Sequence, residues 1–524
     1  MAESWCKELW KKNVAYLGDR PAVIDRGRRL THAELASRAN RLYWALRSRG
    51  LEKGERVAIL AYNCAEYLEW MQACEKGGFV GVPVNWRLSA DNVAFVLDNS
   101  ESKILLLHED FVEPVSSIRP QLRNLEHLLV FDATSPPAIG EAYEEALATA
   151  DSREPEVQME DEDPAYIIYS SGTTGRPKGV VFTHHMQLES AKAHVTELGL
   201  TPQDVALVVM PLFHSGGHAT ASAIAYVGGI NVLLPRFEAR TVLEVLEQER
   251  VTFVQVVPTM IAALLEQPDL HRYRLDNLKT IQYVGAPMPQ SLLEKAARFF
   301  GAHRFIQNYG LTENGPLVST LSREDHLAGL REGASETARK RLGSVGRPHY
   351  GLWVRIVDDR GNELPRNTIG EIAVRAETTT PGYWKQQELT RKKIRDGWLF
   401  TGDIGLMDQD GYLYLVDRKD DMIVTGGENV YPSYVENVLC RHPAVKEAAV
   451  VGLPDEKWGE MVTAAVALWP ETVATEEELL EHCKPHLAGY ERPKRVVILQ
   501  ELPKSPTGKI LRREVRRRLQ EKAR

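Results

Sequence analysis

From about residue 50 to residue 310, short runs of aliphatic residues alternate with stretches of helical periodicity. "RVAILAY", opening at Arg56, is followed by "AEYLEWMQAC" from Ala65 and "FVGVPVN" from Phe79, which reads as strand, helix, strand. The series continues through "KILLL", "LLVF", "ALVVM", "NVLL", "TFVQVV" and "IQYVG", with helices such as "TVLEVLEQER" between. Strands that are apolar without alternation are buried on both faces. Crossover helices supply that cover, so the pattern implies an α/β architecture around parallel sheet.

The pattern changes twice further on. Between about 343 and 416, "GLWVRIVD", "GEIAVRA" and "GYLYLVD" are separated by the turn sequences "DRGNELP" and "DQDG", which reads as a small antiparallel subdomain. After "DRKDD" comes a mixed stretch: "EAAVVGL", "TAAVALW", the helical "EEELLEHCKPHLA", "RVVIL" and a last helix. A chain of 524 residues is too long for one hydrophobic core. The boundary is therefore expected within 417–421, giving domains 1–419 and 420–524.

Composition excludes several classes. A net charge of −8 is mild and argues against nucleic acid as a partner. The basic "RREVRRRLQEKAR" at the C-terminus is read as the solvated face of a helix. No apolar stretch approaches the roughly 20 residues that span a bilayer, so no integral membrane association is expected. The N-terminal "MAESWCKELWKKN" lacks a secretory apolar core, and five cysteines without metal-ligand spacing suit a reducing compartment; a cytoplasmic location is expected.

One loop has no interest in a core. "SSGTTGRPKG", Ser170 to Gly179, follows the strand-like "AYIIY". Glycine lets the backbone approach closely and amides point inward, so such a loop can wrap phosphates; its composition equally suits a flexible surface loop. It is not a Walker A loop, because Pro177 precedes Lys178 and Gly179 follows it, where that motif ends in Gly-Lys-Ser/Thr.

The full string "YSSGTTGRPKGV" resembles the phosphate-binding signature of the adenylate-forming superfamily. "MPLFHSGG", "GAPMP", "NYGLTENG", "GSVGRP", "GEIAVRA…GYW", "GWLFTGDIG", "DRKDDMIVTGGENVYP" and "LPKSPTGKILRR" occur in that family's order, and together they cover about 55 to 515. The resemblance implies a large N-terminal domain of two doubly wound α/β subdomains with a small β-barrel-like subdomain. A small mobile α+β C-terminal domain follows. It also implies a two-step reaction: a carboxylate attacks the α-phosphate of ATP and releases pyrophosphate, and the thiol of coenzyme A then displaces AMP.

Roles carry over motif by motif. Ser170, Ser171, Gly172, Thr173, Thr174 and Gly175 would hold the β- and γ-phosphates with Lys178. Tyr309 would stack on adenine beside Gly285, Ala286 and Pro287, with Asn308 on the adenine edge and Gly310 next to it. Thr312 would touch the α-phosphate, and Glu313, with Thr174, would hold Mg²⁺, a hard cation suited to carboxylate and phosphate oxygens. Asp403 would bind the ribose hydroxyls with Arg418, Asp420 would be the hinge, and Gly426, Gly427 and Glu428 would wall the pantetheine tunnel. Lys509 would be the adenylation lysine, bridging two anions that must meet.

The acyl pocket is expected at His214, Ser215, Gly216, Gly217, Tyr283, Val284, Asn308, Gly315 and Pro316, with His218 as a polar departure where relatives are apolar. Its glycines leave room, so medium or long aliphatic acids come first and benzoate- or cinnamate-type acids second. Tyr434 stands where an acid is common, while Glu436 is kept. "GGENVYP" and "LAGYERPKRV" look most like acyl-CoA synthetases; loading of a carrier protein is the alternative acceptor chemistry, and a homodimer is the assembly open to such a chain.

Overall fold

The apolar runs become the inner strands of two mostly parallel sheets in a computed structural model that describes residues 5–133, 136–170, 176–504 and 510–523. The seven-stranded sheet runs Glu141–Ala142, His127–Phe131, Ser102–His108, Arg56–Leu60, Val80–Pro83, Pro164–Ser170 and Lys178–Thr183. Its pairs are parallel up to the last, an antiparallel hairpin that carries the Ser/Thr/Gly loop at its tip. Both faces are apolar: Val57 and Ile59 enter one core, and Ala58 and Leu60 the other.

A nine-stranded sheet lies alongside, in the order Arg347–Pro348, Ser319–Leu321, Phe305–Tyr309, Thr280–Tyr283, Phe253–Val256, Val205–Val208, Ile230–Leu233, Pro21–Asp25 and Arg28–Thr31. Its parallel centre holds the predicted runs together with Phe305–Tyr309, which was not read as a strand. Pro21–Asp25 joins it, pairing parallel with Ile230–Leu233 through Val23 opposite Asn231. Side chains alternate across this sheet as strand geometry requires. Val254, Val256, Ile281, Tyr283 and Phe305 fill the core under the helices Ala239–Gln248 and Gln290–Phe300, whereas Phe253 and Ile306 face the other way. Gln255, Gln282 and Asn308 lie on that second side, toward the helix Ser215–Val227.

Residues 353–418 form the antiparallel sheet: Trp353–Val357, Gly370–Arg375, Trp398–Met407 and Ile394–Arg395 in order, with Leu413–Arg418 also paired to Trp398–Met407. The small C-terminal domain has a mixed five-stranded sheet, the long hairpin Val445–Asp455/Gly459–Leu468 at its centre. It is covered by the helices Pro432–Leu439, Glu476–Cys483 and Arg512–Ala523. Its two apolar clusters take no residue before Ile423. Among the described residues no helix is long and apolar enough to cross a membrane.

Candidate active site

The ends of the phosphate-type loop are fixed by hairpin pairing, Ser170 opposite Lys178. Ser171, Gly172, Thr173, Thr174 and Gly175 lie outside the described residues, as does Lys509. Beyond Lys178 the strand is clamped from outside: Trp384 N donates to Gly179 O at 2.7 Å and Val181 N to Gly382 O at 3.1 Å. The segment Gly382–Trp384 thus extends the sheet at the root of the loop.

That segment also reaches the "NYGLTE" motif. Tyr383, almost fully buried, donates its hydroxyl to Glu313 Oε1 at 2.9 Å, and Thr380 N donates to Glu313 O at 2.9 Å. Burial and the neighbouring Glu313 charge both push the Tyr383 phenol up, so it stays a donor. Glu313 and Thr312 sit in a single 3₁₀ turn after the strand Phe305–Tyr309. The Thr312 hydroxyl lies 2.9 Å from Ser215 Oγ, which ties this turn to the start of the helix Ser215–Val227. Gly310 makes the turn feasible: a Cβ there would lie 2.0 Å from the carbonyl oxygen of Pro316.

Tyr309 is 9% exposed, packed with Val318, Val345 and Leu352, and donates its hydroxyl to Asp403 Oδ2 at 2.5 Å. Arg418 Nε lies 3.0 Å from the other oxygen, Asp403 Oδ1. Asp403 chiefly raises the guanidinium pKa of Arg418, and its own carboxylate is held between phenol and cation. Tyr309, Asp403 and Arg418 therefore form one polar group, whereas Asn308, expected on the adenine edge, is buried and bonded to Gln282 and Thr320.

Asp420 is exposed in the short 3₁₀ turn Lys419–Asp421. An ion cluster beside it crosses the domain junction. Arg512 bonds Asp417 Oδ1 at 2.7 Å, Asp421 Oδ2 at 3.1 Å, both oxygens of Glu436 and the Ser433 hydroxyl. Ser433 N donates to Asp417 Oδ2 at 2.6 Å. Gly426 and Gly427, at φ +60 and +87, turn the hairpin Ile423–Thr425/Glu428–Val430, with Glu428 exposed. Tyr434 is exposed while Glu436 is drawn into the Arg512 cluster.

On the acyl side, His214 precedes the helix Ser215–Val227 and its Nδ1 accepts from Gly216 N at 3.2 Å. Gly217 is pressed against the Pro211 carbonyl, while Gly216 is partly open. Val284, Gly285, Ala286 and Pro287 leave the strand Thr280–Tyr283 as a part-exposed loop, with Gly285 at φ +81. Gly315 lies against Ser190 and Thr378, with Pro316 following.

Two expectations need correcting. Tyr283 points to the opposite face of the sheet, fully buried, its hydroxyl 2.9 Å from His326 Nε2; only its main chain can line a pocket. Alternation from Ile281 carries this signal. His218 is not a polar pocket wall either: it is fully buried, edge-on to Tyr166 at 4.5 Å, and burial holds its pKa down near 3. Tyr383 and Arg512 were not singled out in the sequence. Tyr383 stands in the quoted "GYW" and Arg512 directly after "GKIL", so both lay within recognised motifs.

Residues 10–384 match the family model described as AMP-binding enzyme, and residues 434–509 match the AMP-binding enzyme C-terminal domain. A fatty acid–[acyl-carrier-protein] ligase, ScoC, of Streptomyces coeruleorubidus is 35% identical over 95% of this chain and 93% of its own. A feruloyl-CoA synthase of an Amycolatopsis species is 37% identical over 95% of both chains. Among solved structures, the anthranilate CoA ligase AuaEII in complex with anthranoyl-AMP superposes with a TM-score of 0.88 at 29% identity, covering 99% of this chain and 98% of that one.

Proposed function

The chain belongs to the AMP-binding enzymes, as an acid–thiol ligase of the adenylate-forming superfamily, and from that premise we propose that it makes acyl-CoA from a free acid, ATP and CoA. The observation that carries this reading is a set of two polar groups, Tyr309–Asp403–Arg418 and Tyr383–Glu313, the second on a segment bonded to the strand that leaves the phosphate-type loop. Asp403 offers oxygens suited to two ribose hydroxyls. Thr312 and Lys178 are the polar and cationic groups for the phosphate chain.

In the first half-reaction an oxygen of the substrate carboxylate forms a bond to the α-phosphorus, and the bond to the bridging oxygen breaks as pyrophosphate leaves. Cationic and hydrogen-bonding groups lower the repulsion between the two anions. In the second half-reaction the CoA sulfur, having lost its proton, attacks the acyl carbon and AMP departs with the electron pair. Mg²⁺ fits the donor chemistry of Glu313, a half-buried carboxylate with one oxygen fixed by Tyr383, and would neutralise phosphate charge when bound.

The small domain, taken as beginning at Asp420, would bring Lys509 for the first step and the Gly426–Glu428 turn for the second. Domain rotation about a short hinge supplies such gating. CoA is favoured over a carrier protein by the likeness to CoA ligases, although ScoC is named for a carrier-protein acceptor. The names of these relatives span aliphatic and aromatic acids. ATP–pyrophosphate exchange and CoA-dependent AMP release over a panel of both acid types test the reading. No acid-dependent exchange with any member would refute it.

A further inference from the structure

A chain of buried amides crosses the second sheet under the acyl side of the site. Gln255 Nε2 donates to Thr220 Oγ1 at 3.0 Å and to Gln282 Oε1 at 3.1 Å. Gln282 Nε2 donates to Asn308 Oδ1 at 2.7 Å, and Asn308 Nδ2 donates to Thr320 Oγ1 at 2.8 Å and toward Ser319 O at 3.5 Å. Thr220, Gln255, Gln282 and Asn308 are each no more than 5% exposed.

The direction of this relay is set at one end. A backbone carbonyl can only accept, so Ser319 O turns the Asn308 amide nitrogen toward itself and leaves Asn308 Oδ1 facing Gln282. Each following amide must then present nitrogen to its predecessor's oxygen. The relay ends with Gln255 Oε1, a buried acceptor with no partner among the described residues. A buried unpaired carbonyl is costly, and one that persists at a site invites a ligand donor.

This oxygen points at the acyl side. A methyl group placed on Gly216 would lie 3.9 Å from it, and one on Gly285 would lie 3.6 Å from Val257 Cγ1, two residues further along the same chain. Gly216 and Gly285 therefore place no side chain of their own against Gln255 and Val257.

Resting on the ligase reading above, we propose that Gln255 is a specificity-determining residue whose Oε1 accepts a hydrogen bond from a hydroxyl or amino group on the acyl chain or ring, away from its carboxylate. The preferred acids are then donor-bearing ones. An unadorned alkyl or phenyl group would bury the Gln255 carbonyl unpaired.

The test uses matched pairs on the full-length enzyme: 4-hydroxycinnamate against cinnamate, 4-aminobenzoate against benzoate, and 8-hydroxyoctanoate against octanoate. kcat/KM for CoA-dependent AMP release is measured for each. At least one donor-bearing acid should exceed its partner by roughly 10–100-fold, and the pair that does so identifies the donor's carrier. Gln255→Leu should collapse that ratio, and Gln255→Glu, which keeps an oxygen acceptor, should retain more of it. If Gln255→Leu does not fold, the wild-type ratios alone decide. Turnover of the plain acids with ratios near one in every pair overturns the proposal while leaving the ligase reading intact. No turnover of any acid overturns the ligase reading itself.

Discussion

The hydroxyl of Tyr383 donates to Glu313 Oε1 at 2.9 Å, while the backbone on either side of Tyr383 is bonded to the strand that leaves the phosphate-type loop. One short segment therefore fixes the loop's root and the candidate metal carboxylate together. A shift of either would be felt by the other.

Tyr383→Phe keeps the packing and removes that bond. A hydrogen bond to a charged group contributes about 1.5–3 kcal/mol, so acid-dependent ATP–pyrophosphate exchange should fall roughly 10–100-fold. The Mg²⁺ concentration for half-maximal rate should rise, as it should for Glu313→Gln. Exchange rates measured across a Mg²⁺ titration decide this; an unchanged Mg²⁺ curve in both variants removes the metal role from Glu313.

At Asp403 the carboxylate is shared between Tyr309 and Arg418, 2.5 Å and 3.0 Å away. Asp403→Asn removes the charge that Arg418 faces and turns an acceptor into a donor. The KM for ATP should rise tenfold or more, whereas Tyr309→Phe, which leaves the ion pair, should cost less. Calorimetric ATP affinities of the two variants give the order directly, and the reverse order would mean that the carboxylate serves packing alone.

Much of the fold was legible because parallel strands advertise themselves as apolar runs at crossover spacing. The hairpin Pro21–Asp25/Arg28–Thr31 was not, since its partner strand Ile230–Leu233 lies two hundred positions away and no local signal links them. In the site, recognised motifs supplied Tyr309, Asp403 and Glu313, but motif matching gives no side-chain direction. That is why Tyr283 was expected at the acyl pocket although its side chain lies on the other face of the sheet. Gln255 and Gln282 did leave a trace, each as the one amide of its strand, whereas Asn308 directly follows Gln307. Their union into one relay depends on strand order, which the sequence does not state.

Buried histidines set an acid limit. His326 is fully buried, Nδ1 donating to Ser322 O and Nε2 accepting from Tyr283, and burial holds its pKa near 4 against an ordinary 6.5. The unfolded chain therefore takes up this proton first as pH falls. Its contribution is complete above about 6.5 and declines toward 4, with a slope of up to about 1.4 kcal/mol per pH unit. His194, also near 4, acts in the same sense, while the buried carboxyls Glu69 and Glu75, pushed upward, oppose it above 4.5. The stability gap between wild type and His326→Gln should thus narrow from pH 6.5 to 4.5 in urea unfolding. A constant gap would mean that His326 is protonated in the folded state.

Arg512 joins Asp417, before the turn Lys419–Asp421, to Ser433 and Glu436, after it. The small domain can reorient only if Arg512 keeps its bonds to Glu436 while exchanging those to Asp417 and Asp421, or if all of them move together. Asp417→Asn removes the charge on the near side without touching Glu436. It should weaken the arrangement seen here and shift the balance between the two half-reactions. Lys509→Ala serves as the reference, because a lost cation between two meeting anions should slow acyl-AMP formation by roughly 10²–10³ and leave thioester formation from supplied acyl adenylate near normal. Asp417→Asn should instead change both rates, in opposite directions and by less than tenfold. Pyrophosphate exchange reports the first rate, and thioester formation from synthetic acyl adenylate and CoA reports the second. Equal losses in both halves for Lys509→Ala would deny that the lysine belongs to the first step alone. A change of both rates in the same direction for Asp417→Asn would show that the Arg512 cluster holds the fold of the junction and does not bias its orientation.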